Sequence, residues 1–350
     1  MSGKAGMAKN AETVAAVTIH TVALRAGVST ATVSRVLQGS APASDTTRAR
    51  VIAAARELRY HAPDRSHARL PARHEAHGLV LADLTGYYYS ELVLGHQSAA
   101  ADLGQSLVLV ATRRRSDASE AVRDLARRVD GLVIGANTVP DSVAHTLSRA
   151  LPVVLLGRPE VAGCGSVRAE NRENAALITA HLFGHGRSHL VFVGDPDSSP
   201  DVSERYAGFR TAHAAADIAI RRPPLRVPLL EGAGVQVAEE ILRRRVKLDG
   251  LVCANDELAL AIIRRLRDNG IRVPDDLAVV GWDDVPAARY ISPGLTTVRQ
   301  PIGVLARLAA AQLNARIVDE PSVVGPQVLP SQVVLRSSCG CVALPPVSRG

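Results

Sequence analysis

The 350-residue sequence predicts an all-α helix-turn-helix headpiece followed by an α/β body of two doubly wound parallel-sheet subdomains. Three observations support this fold class. Two short amphipathic segments joined by a glycine turn, with a third segment after them, come near the N-terminus. Short apolar, β-branched runs then alternate with segments of helical periodicity, as buried parallel strands and their covering helices do. These runs fall into two sets, which indicates two sheets.

Positive charge is concentrated at the N-terminal end. Residues 1–74 contain 11 Lys and Arg against 4 Asp and Glu, whereas the rest of the chain contains 30 of each. A basic head on a neutral body predicts a partner with a dense anionic surface, and nucleic acid is the first candidate. The N-terminus lacks the apolar stretch of a secretory signal, and no apolar run approaches the ~20 residues of a spanning helix. With only four scattered cysteines, a reducing cytoplasm is expected.

The basic head has the pattern of a DNA-reading unit. Residues 18–26 and 30–38 each place their apolar side chains on one face, and Ser29 is suited to cap the second helix. Such a helix fits the major groove, where Arg35 could pair with a guanine and short hydroxyls could meet phosphates. The residues expected to contact DNA are Ser29, Thr30, Ala31, Thr32, Ser34, Arg35 and Gln38. The alternative is a three-helix protein-binding module with a solvated basic face.

The segment TIHTVALRAGVSTATVSRVLQ, residues 18–38, closely resembles the DNA-binding headpiece of the lactose-repressor (LacI) family. At the fixed positions of the family pattern, T-I-x-D-V-A-x-x-A-G-V-S-x-x-T-V-S-R-V-L-N, only Thr21 and Gln38 differ. Thr47 falls where the family's third helix expects it and joins the predicted DNA contacts. LAVVGWDDVPAARYISPGLTTVRQ, residues 277–300, is similar to the family's effector-binding core. The resemblance therefore extends over roughly residues 18–338.

This resemblance implies a periplasmic-binding-protein-like type I body and a division of the chain. The expected segments are a flexible arm (1–17), the helix-turn-helix domain (18–62), a hinge (63–75), the ligand-binding and dimerisation body (76–338) and a loose tail (339–350). The expected N-subdomain comprises about 76–160 and 302–320, and the C-subdomain about 161–283 and 321–338. The chain would cross between subdomains near 158–162, 283–301 and 320–324.

The hinge is expected to carry a further DNA contact. In the family, the pattern P-N-x-x-A-R-x-L forms a short helix on DNA, and its leucine wedges into the minor groove. Counting from Pro63 places this leucine at Leu70. Pro71 disfavours helical geometry at that leucine, so the hinge either orders weakly or uses the wedge differently.

The ligand-binding residues also follow from the resemblance. A sugar-like ligand needs rings to stack on and paired donors and acceptors for its hydroxyls. The positions that match the family's cleft residues are Tyr88, Tyr89, Arg205, Asn255 and Asp283. An alternative for Arg205 and Asp283 is an ion pair that latches the cleft, and Trp282 is expected to pack beside it.

The resemblance implies that the protein is a transcriptional regulator, and more specifically a repressor. It would bind a near-palindromic double-stranded DNA operator as a homodimer. A carbohydrate-like effector would control this binding. One alternative is an enzyme joined to a helix-turn-helix, although no P-loop, GxGxxG after a strand or nucleophile elbow is present. A second is a solute-binding protein with the same body fold. A third is a degenerate regulator that binds DNA without ligand control.

No cofactor or metal is predicted. Cys339 and Cys341 could bind a metal between two chains, but two thiols do not fill a tetrahedral site. The 11 histidines show neither an HExxH motif nor another spacing typical of ligands. The chain end is therefore interpreted as a loose tail.

Overall fold

The computed structural model describes residues 19–38, 44–58, 60, 74–113, 115–244, 248–319 and 325–342. The chain divides into two compact units, residues 1–73 and 74–350, and each is described by itself. Leu70, the predicted minor-groove residue, lies outside the described residues. Within the described ranges, no helix has both the length and the apolar character needed to cross a membrane.

The first unit contains three short helices, α1 (Ile19–Ala26), α2 (Thr30–Gln38) and α3 (Asp45–Glu57). Gly27 has a φ of 64°, which lets the chain turn sharply between α1 and α2. One apolar residue from each helix, Val22, Val33 and Val51, is fully buried in a shared core. The predicted helix-turn-helix with a bracing third helix is confirmed.

The second unit begins with a six-stranded parallel sheet. Its strands are β1 (Ala76–Leu81), β2 (Ser106–Ala111), β3 (Gly131–Gly135), β4 (Val153–Leu156), β5 (Gly165–Ala169) and β10 (Gln327–Leu329), in the order β10-β5-β4-β3-β1-β2. Its helices are α4 (Tyr87–Asp102), α5 (Ala118–Ala126), α6 (Asp141–Leu147) and α12 (Ile302–Ile317). The central strands are buried along their whole length, which explains their continuous apolar runs.

A second parallel sheet follows in the same unit. It has the order β6-β7-β8, formed by β6 (Leu190–Val193), β7 (Gly250–Cys253) and β8 (Ala278–Val280). The helices along this part of the chain are α7 (Arg172–Gly184), α8 (Pro200–Ala215), α9 (Glu231–Arg244), α10 (Asp256–Asp268) and α11 (Ala287–Tyr290). A short antiparallel pair, β9 (Thr297–Arg299) with β11 (Gln332–Val334), completes the unit. The predicted body of two parallel α/β subdomains is confirmed.

The subdomain boundaries differ from the prediction at two strands. Both β5 and β10 belong to the first sheet, although the prediction places residues 161–169 and 321–329 in the C-subdomain. The chain therefore first leaves this sheet after Ala169 and last leaves it after Leu329. Each of these strands is short and carries polar residues, and β10 is an edge strand, so neither has the apolar run of a central strand.

The chain end also differs from the prediction. Cys339 ends a 3₁₀ turn (Ser337–Cys339), is fully buried and packs in the core that contains Phe192 and Trp282. A loose tail beginning at residue 339 is therefore wrong for Cys339, whereas Gly340 and Val342 are exposed. No periodicity in the sequence indicates this packing, because the turn contributes a single apolar side chain to the core.

Candidate functional site

The first candidate surface is α2 of the headpiece. The Ser29 hydroxyl accepts a hydrogen bond from the Thr32 backbone N–H at 3.2 Å and so caps the start of the helix. Ser29 and Arg35 are exposed, while Thr30, Thr32 and Ser34 are half-buried. Ala31 and Gln38 also lie on α2, and Thr47 lies in the first turn of α3. Apart from Leu70, the predicted DNA contacts therefore lie on α2, on Ser29 just before it, or in the first turn of α3.

The third helix fixes the geometry of this surface. Arg50 donates from Nε to the Ala26 carbonyl at 3.1 Å and from a terminal nitrogen to the Gly27 carbonyl at 3.0 Å. These carbonyls at the end of α1 would otherwise lack helical partners. At the start of α3, the Ser44 hydroxyl accepts from the Thr47 backbone N–H at 3.3 Å. The turn between α1 and α2 is thus held by a side chain of α3.

The second candidate site is a cavity of about 290 Å³ between the two sheets of the body. Its lining includes residues at the carboxyl ends of β1, β3 and β4 on one side and residues that follow β7 and β8 on the other. This is where open parallel sheets bind ligands. The residues predicted from the sequence that line it are Tyr88, Tyr89, Arg205, Asn255 and Asp283. Their contact with a ligand stays a prediction.

The two tyrosines begin α4 at one wall of the cavity. Their rings pack edge to face, with 5.4 Å between centroids. Burial, reinforced by the nearby Asp201 charge, raises the pKa of the Tyr88 phenol well above its ordinary value. Gly86, just before the helix, has a φ of 88°, and a Cβ there would lie 2.2 Å from Glu257 Oε1. The positive φ therefore favours glycine at this position, where the tyrosine helix approaches Glu257 of the opposite wall.

Arg205, only 4% exposed, is held in place from three directions. Its Nε donates to Asn171 Oδ1 at 2.8 Å, and a terminal nitrogen donates to the Ala254 carbonyl at 2.6 Å. Its guanidinium carbon lies 4.6 Å from the centroid of the Trp282 ring. Among the described residues no ion pair joins Arg205 to Asp283, so the latch considered from the sequence is not formed.

Asp283 lies across the cavity in an unusual backbone conformation. Its φ is 114°, and its backbone N–H donates to the Val298 carbonyl at 2.8 Å. Its Oδ1 accepts from the Gln300 amide at 2.6 Å. Burial raises the pKa of Asp283 to about 7, although the Arg205 charge opposes the rise. Near neutral pH this carboxyl therefore exists in both its protonated and its ionised form.

Asn255 has both a structural contact and a place in the cavity wall. Its Oδ1 accepts from the Leu258 backbone N–H at 3.1 Å and caps α10. Its Nδ2 reaches the Leu229 carbonyl at 3.4 Å, which engages one of its two amide hydrogens. The other hydrogen is available for a ligand oxygen.

The polar residues of the cavity that were not predicted include Asp201, Glu257 and Gln300. Asp201 lies one helical turn before Arg205 on α8, and its Oδ1 accepts from the Asn171 amide at 2.9 Å. The spacing of four residues from Arg205 is the signal that would have found it. Burial raises the pKa of Asp201, an effect that the Arg205 charge opposes.

Comparison with known proteins gives consistent matches. Residues 18–63 match the family described as bacterial regulatory proteins, lacI family, and residues 179–339 match a periplasmic binding protein-like domain. The HTH-type transcriptional regulator GalR of Escherichia coli (strain K12) is 33% identical over 300 residues, covering 84% of this chain and 87% of GalR.

Solved structures agree over most of the chain. The lac repressor dimer bound to operator and the anti-inducer ONPF matches with a TM-score of 0.71 at 27% identity, covering 92% of this chain and 99% of that chain. The transcriptional regulator CelR–cellobiose complex matches with a TM-score of 0.68 at 30% identity, covering 92% of this chain and 100% of that chain. Both the order of domains and the fold are therefore shared with these regulators.

Proposed function

We propose, from the premise that this chain belongs to the LacI family of bacterial regulatory proteins, that it is a dimeric repressor gated by a sugar or sugar derivative. Its relatives are named transcriptional regulators, and regulation of transcription is its function. The observation that carries the finer proposal is the convergence of the five predicted cleft residues on one cavity between the sheets. A regulator of this kind acts in the cytoplasm, where it meets the chromosome.

The chemistry of the cavity favours an uncharged polyhydroxylated ligand. Arg205 offers a guanidinium donor, while Asp201 and Asp283 offer carboxyl oxygens. Arg113, Asp83 and Glu257 line the cavity as well, so two cations stand beside four carboxyl groups. This set leaves no excess positive charge for a phosphate, whereas sugar hydroxyls both donate and accept. The Tyr88 and Tyr89 rings supply the flat apolar surface on which a pyranose stacks. The cellobiose complex of CelR supports the same ligand class.

The headpiece supports recognition of an operator by two copies of the chain. One helix-turn-helix reads one half-site, so a symmetric dimer requires a near-palindrome. Arg35 pairs with a guanine in this proposal, Thr30 and Ala31 meet a thymine methyl, and Ser29, Thr32 and Ser34 contact phosphates. Gln38 and Thr47 add contacts from α2 and α3, and Leu70 enters the minor groove between the half-sites.

Ligand control follows from the position of the cavity. Because the ligand would contact both subdomains, it stabilises one relative angle of the two sheets over another. That angle sets the separation of the two hinges and hence of the two headpieces. By linkage, the ligand and the operator change each other's affinity by the same factor, in opposite senses for an inducer and a corepressor.

The test is selection of genomic DNA fragments by the purified protein, with and without a metabolite extract. The proposal expects enrichment of a few near-palindromes beside genes of carbohydrate metabolism. Loss of enrichment with the extract identifies an inducer, and a gain identifies a corepressor. The absence of any palindrome would overturn operator recognition by a dimer, and enrichment that no extract or sugar changes would overturn ligand control.

A further inference from the structure

A group of four metal-binding side chains lies away from the cavity. His181 and His185 are one turn apart at the end of α7, and Cys339 and Cys341 follow β11 near the described chain end. The two pairs are far apart in the sequence, yet the four ligand atoms all lie within 4.8 Å of one another. None of the four lines the cavity, so this cluster is distinct from the proposed effector site.

Four of the six separations between these atoms match the edges of a zinc tetrahedron. A Zn²⁺ ion with ordinary bond lengths places two nitrogens about 3.3 Å apart and a nitrogen and a sulfur about 3.6 Å apart. Here the two Nε2 atoms are 3.2 Å apart, and His181 Nε2 lies 3.4 Å from Cys339 Sγ. Cys341 Sγ lies 3.3 Å from His181 Nε2 and 3.4 Å from His185 Nε2. These four edges therefore agree with the ideal values within about 0.3 Å.

The backbone between the cysteines is shaped for this convergence. Gly340 has a φ of 114°, and a Cβ there would lie 3.2 Å from His185 Nδ1. A larger residue would therefore strain the backbone and press on a proposed ligand. The Thr296 hydroxyl donates to Cys339 Sγ at 3.1 Å, the kind of outer-shell hydrogen bond that orients a thiolate ligand.

We propose that His181, His185, Cys339 and Cys341 form a structural Zn²⁺ site that fastens the C-terminal segment to α7. The donor set is two imidazoles and two thiolates, which suits tetrahedral Zn²⁺ and leaves no open position for a substrate. This assignment departs from the sequence-based prediction that no metal binds. Two thiols alone do not complete a tetrahedron, but two histidines in H-x-x-x-H spacing on one helix face supply the other two ligands.

The location explains what the ion would stabilise. Cys339 packs in the core that contains Trp282 and Val298, and Thr296 belongs to the segment that leads into β9. An ion bound here links α7 to the chain end across a long stretch of intervening sequence. It therefore holds the segment that follows β11 against α7, and it lies outside the cavity.

The test measures zinc in the full-length protein, prepared without a metal-binding tag and kept reduced with a phosphine. We expect one Zn²⁺ per chain after dialysis against metal-free buffer. We also expect a tetrahedral Co²⁺ derivative whose spectrum contains thiolate-to-cobalt charge transfer. His185→Ala and Cys341→Ala remove exposed or half-buried ligands and leave the buried Cys339 in the core. Each should weaken Zn²⁺ binding at least about 100-fold, since even outer-shell losses cost about 10- to 100-fold.

Matched controls are His74→Ala, an exposed histidine, and Cys164→Ala, a buried cysteine in the core of the first sheet. Both should retain one Zn²⁺ per chain, and circular dichroism checks that every variant is folded. A chelator should lower the melting temperature of the wild type by roughly 5 °C or more and leave His185→Ala unchanged. The proposal is overturned if the folded wild type binds no Zn²⁺, or if His185→Ala and Cys341→Ala bind it as the wild type does.

Discussion

The Arg205 guanidinium packs against the face of Trp282, with 4.6 Å between the guanidinium carbon and the ring centroid. Trp282 is the only tryptophan of the chain and is 2% exposed, so it lies beneath the cavity wall and not in it. Arg205 thus contacts the fluorophore directly while its own side chain lines the cavity. A ligand that binds the guanidinium must change the electrostatic environment of the indole.

The first prediction is that ligand binding changes Trp282 emission and depends on the fork of Arg205. Arg205→Lys keeps the charge but loses the paired donors, so we expect the affinity for the ligand to fall about 10- to 100-fold. A panel of mono- and disaccharides, titrated against Trp282 fluorescence, makes the measurement. Arg210→Lys, an exposed position on the same helix, is the control and should bind as the wild type does. If the wild type and both variants bind the ligand with equal affinity, Arg205 does not contact the ligand.

The second prediction concerns the charge on Asp283. Burial raises the pKa of this carboxyl to about 7 in the folded protein. Between about pH 4 and pH 7 the carboxyl ionises more readily in the unfolded chain than in the folded one, so the free energy of unfolding falls as the pH rises through this range. Asp283→Asn removes the charge and keeps the oxygen that accepts from Gln300. We expect the variant to exceed the wild type by about 4 kcal/mol in free energy of unfolding at pH 8, and to show no such gain below pH 4.

Urea unfolding at a series of pH values checks this difference. Asp268→Asn, an exposed position on α10, should follow the wild type at every pH. If Asp283→Asn gains nothing at pH 8, the carboxyl is not desolvated in the folded protein, and its pKa is not raised.

How far the sequence predicted the structure depends on the kind of residue. The segments GLVC of β7 and AVV of β8 are uninterrupted apolar runs, which predict strands buried on both faces, and both strands are fully buried. β5 was missed because Ser166 and Arg168 interrupt its apolar pattern, and its pairing depends on tertiary contacts. Asp201 could have been predicted from the sequence, because it lies one helical turn before Arg205, whose role the family resemblance implied.

The four proposed zinc ligands were not predicted from the sequence. The H-x-x-x-H and C-x-C spacings are each visible in their own segment, but only folding brings the end of α7 to the turn at Cys339. No local period relates two segments so far apart along the chain. The cavity residues were found because the family resemblance carried such long-range information, and it carried none for this cluster.

The third prediction separates base recognition from phosphate contact in the headpiece. Arg35 is exposed on α2 and, in the proposed function, pairs with a guanine. Arg35→Ala should weaken operator binding about 10- to 100-fold and should abolish discrimination at one base pair of each half-site. Arg56→Ala, exposed on α3, should instead weaken binding to all sequences alike. Fluorescence anisotropy with single-base operator variants distinguishes base recognition from phosphate contact. If Arg35→Ala weakens binding to all operator variants equally, Arg35 contacts the phosphates and not a base.

The fourth prediction comes from two histidines that are buried together where α4 packs on the first sheet. His77 on β1 and His96 on α4 are both fully buried, with 5.4 Å between their ring centroids. Neither ring nitrogen of either residue has a hydrogen-bond partner within the described part of the chain. Burial lowers the pKa of His77 to about 4, with Asp130 opposing the shift, and lowers the pKa of His96 to about 3. Both rings are therefore neutral in the folded protein at physiological pH.

Because the unfolded histidines take up protons near pH 6.5 and the folded ones do not, this pair costs stability as the pH falls below 6.5. Each histidine should contribute a loss of roughly 1 kcal/mol on moving from pH 7.5 to pH 5.5. Asp283 acts in the opposite direction over the same range, so the informative quantity is the difference between the wild type and His96→Leu. We expect His96→Leu to lose roughly 1 kcal/mol less than the wild type in urea unfolding, and His74→Leu, at an exposed position, to match the wild type. Equal losses in all three proteins would mean that His96 titrates normally in the folded chain.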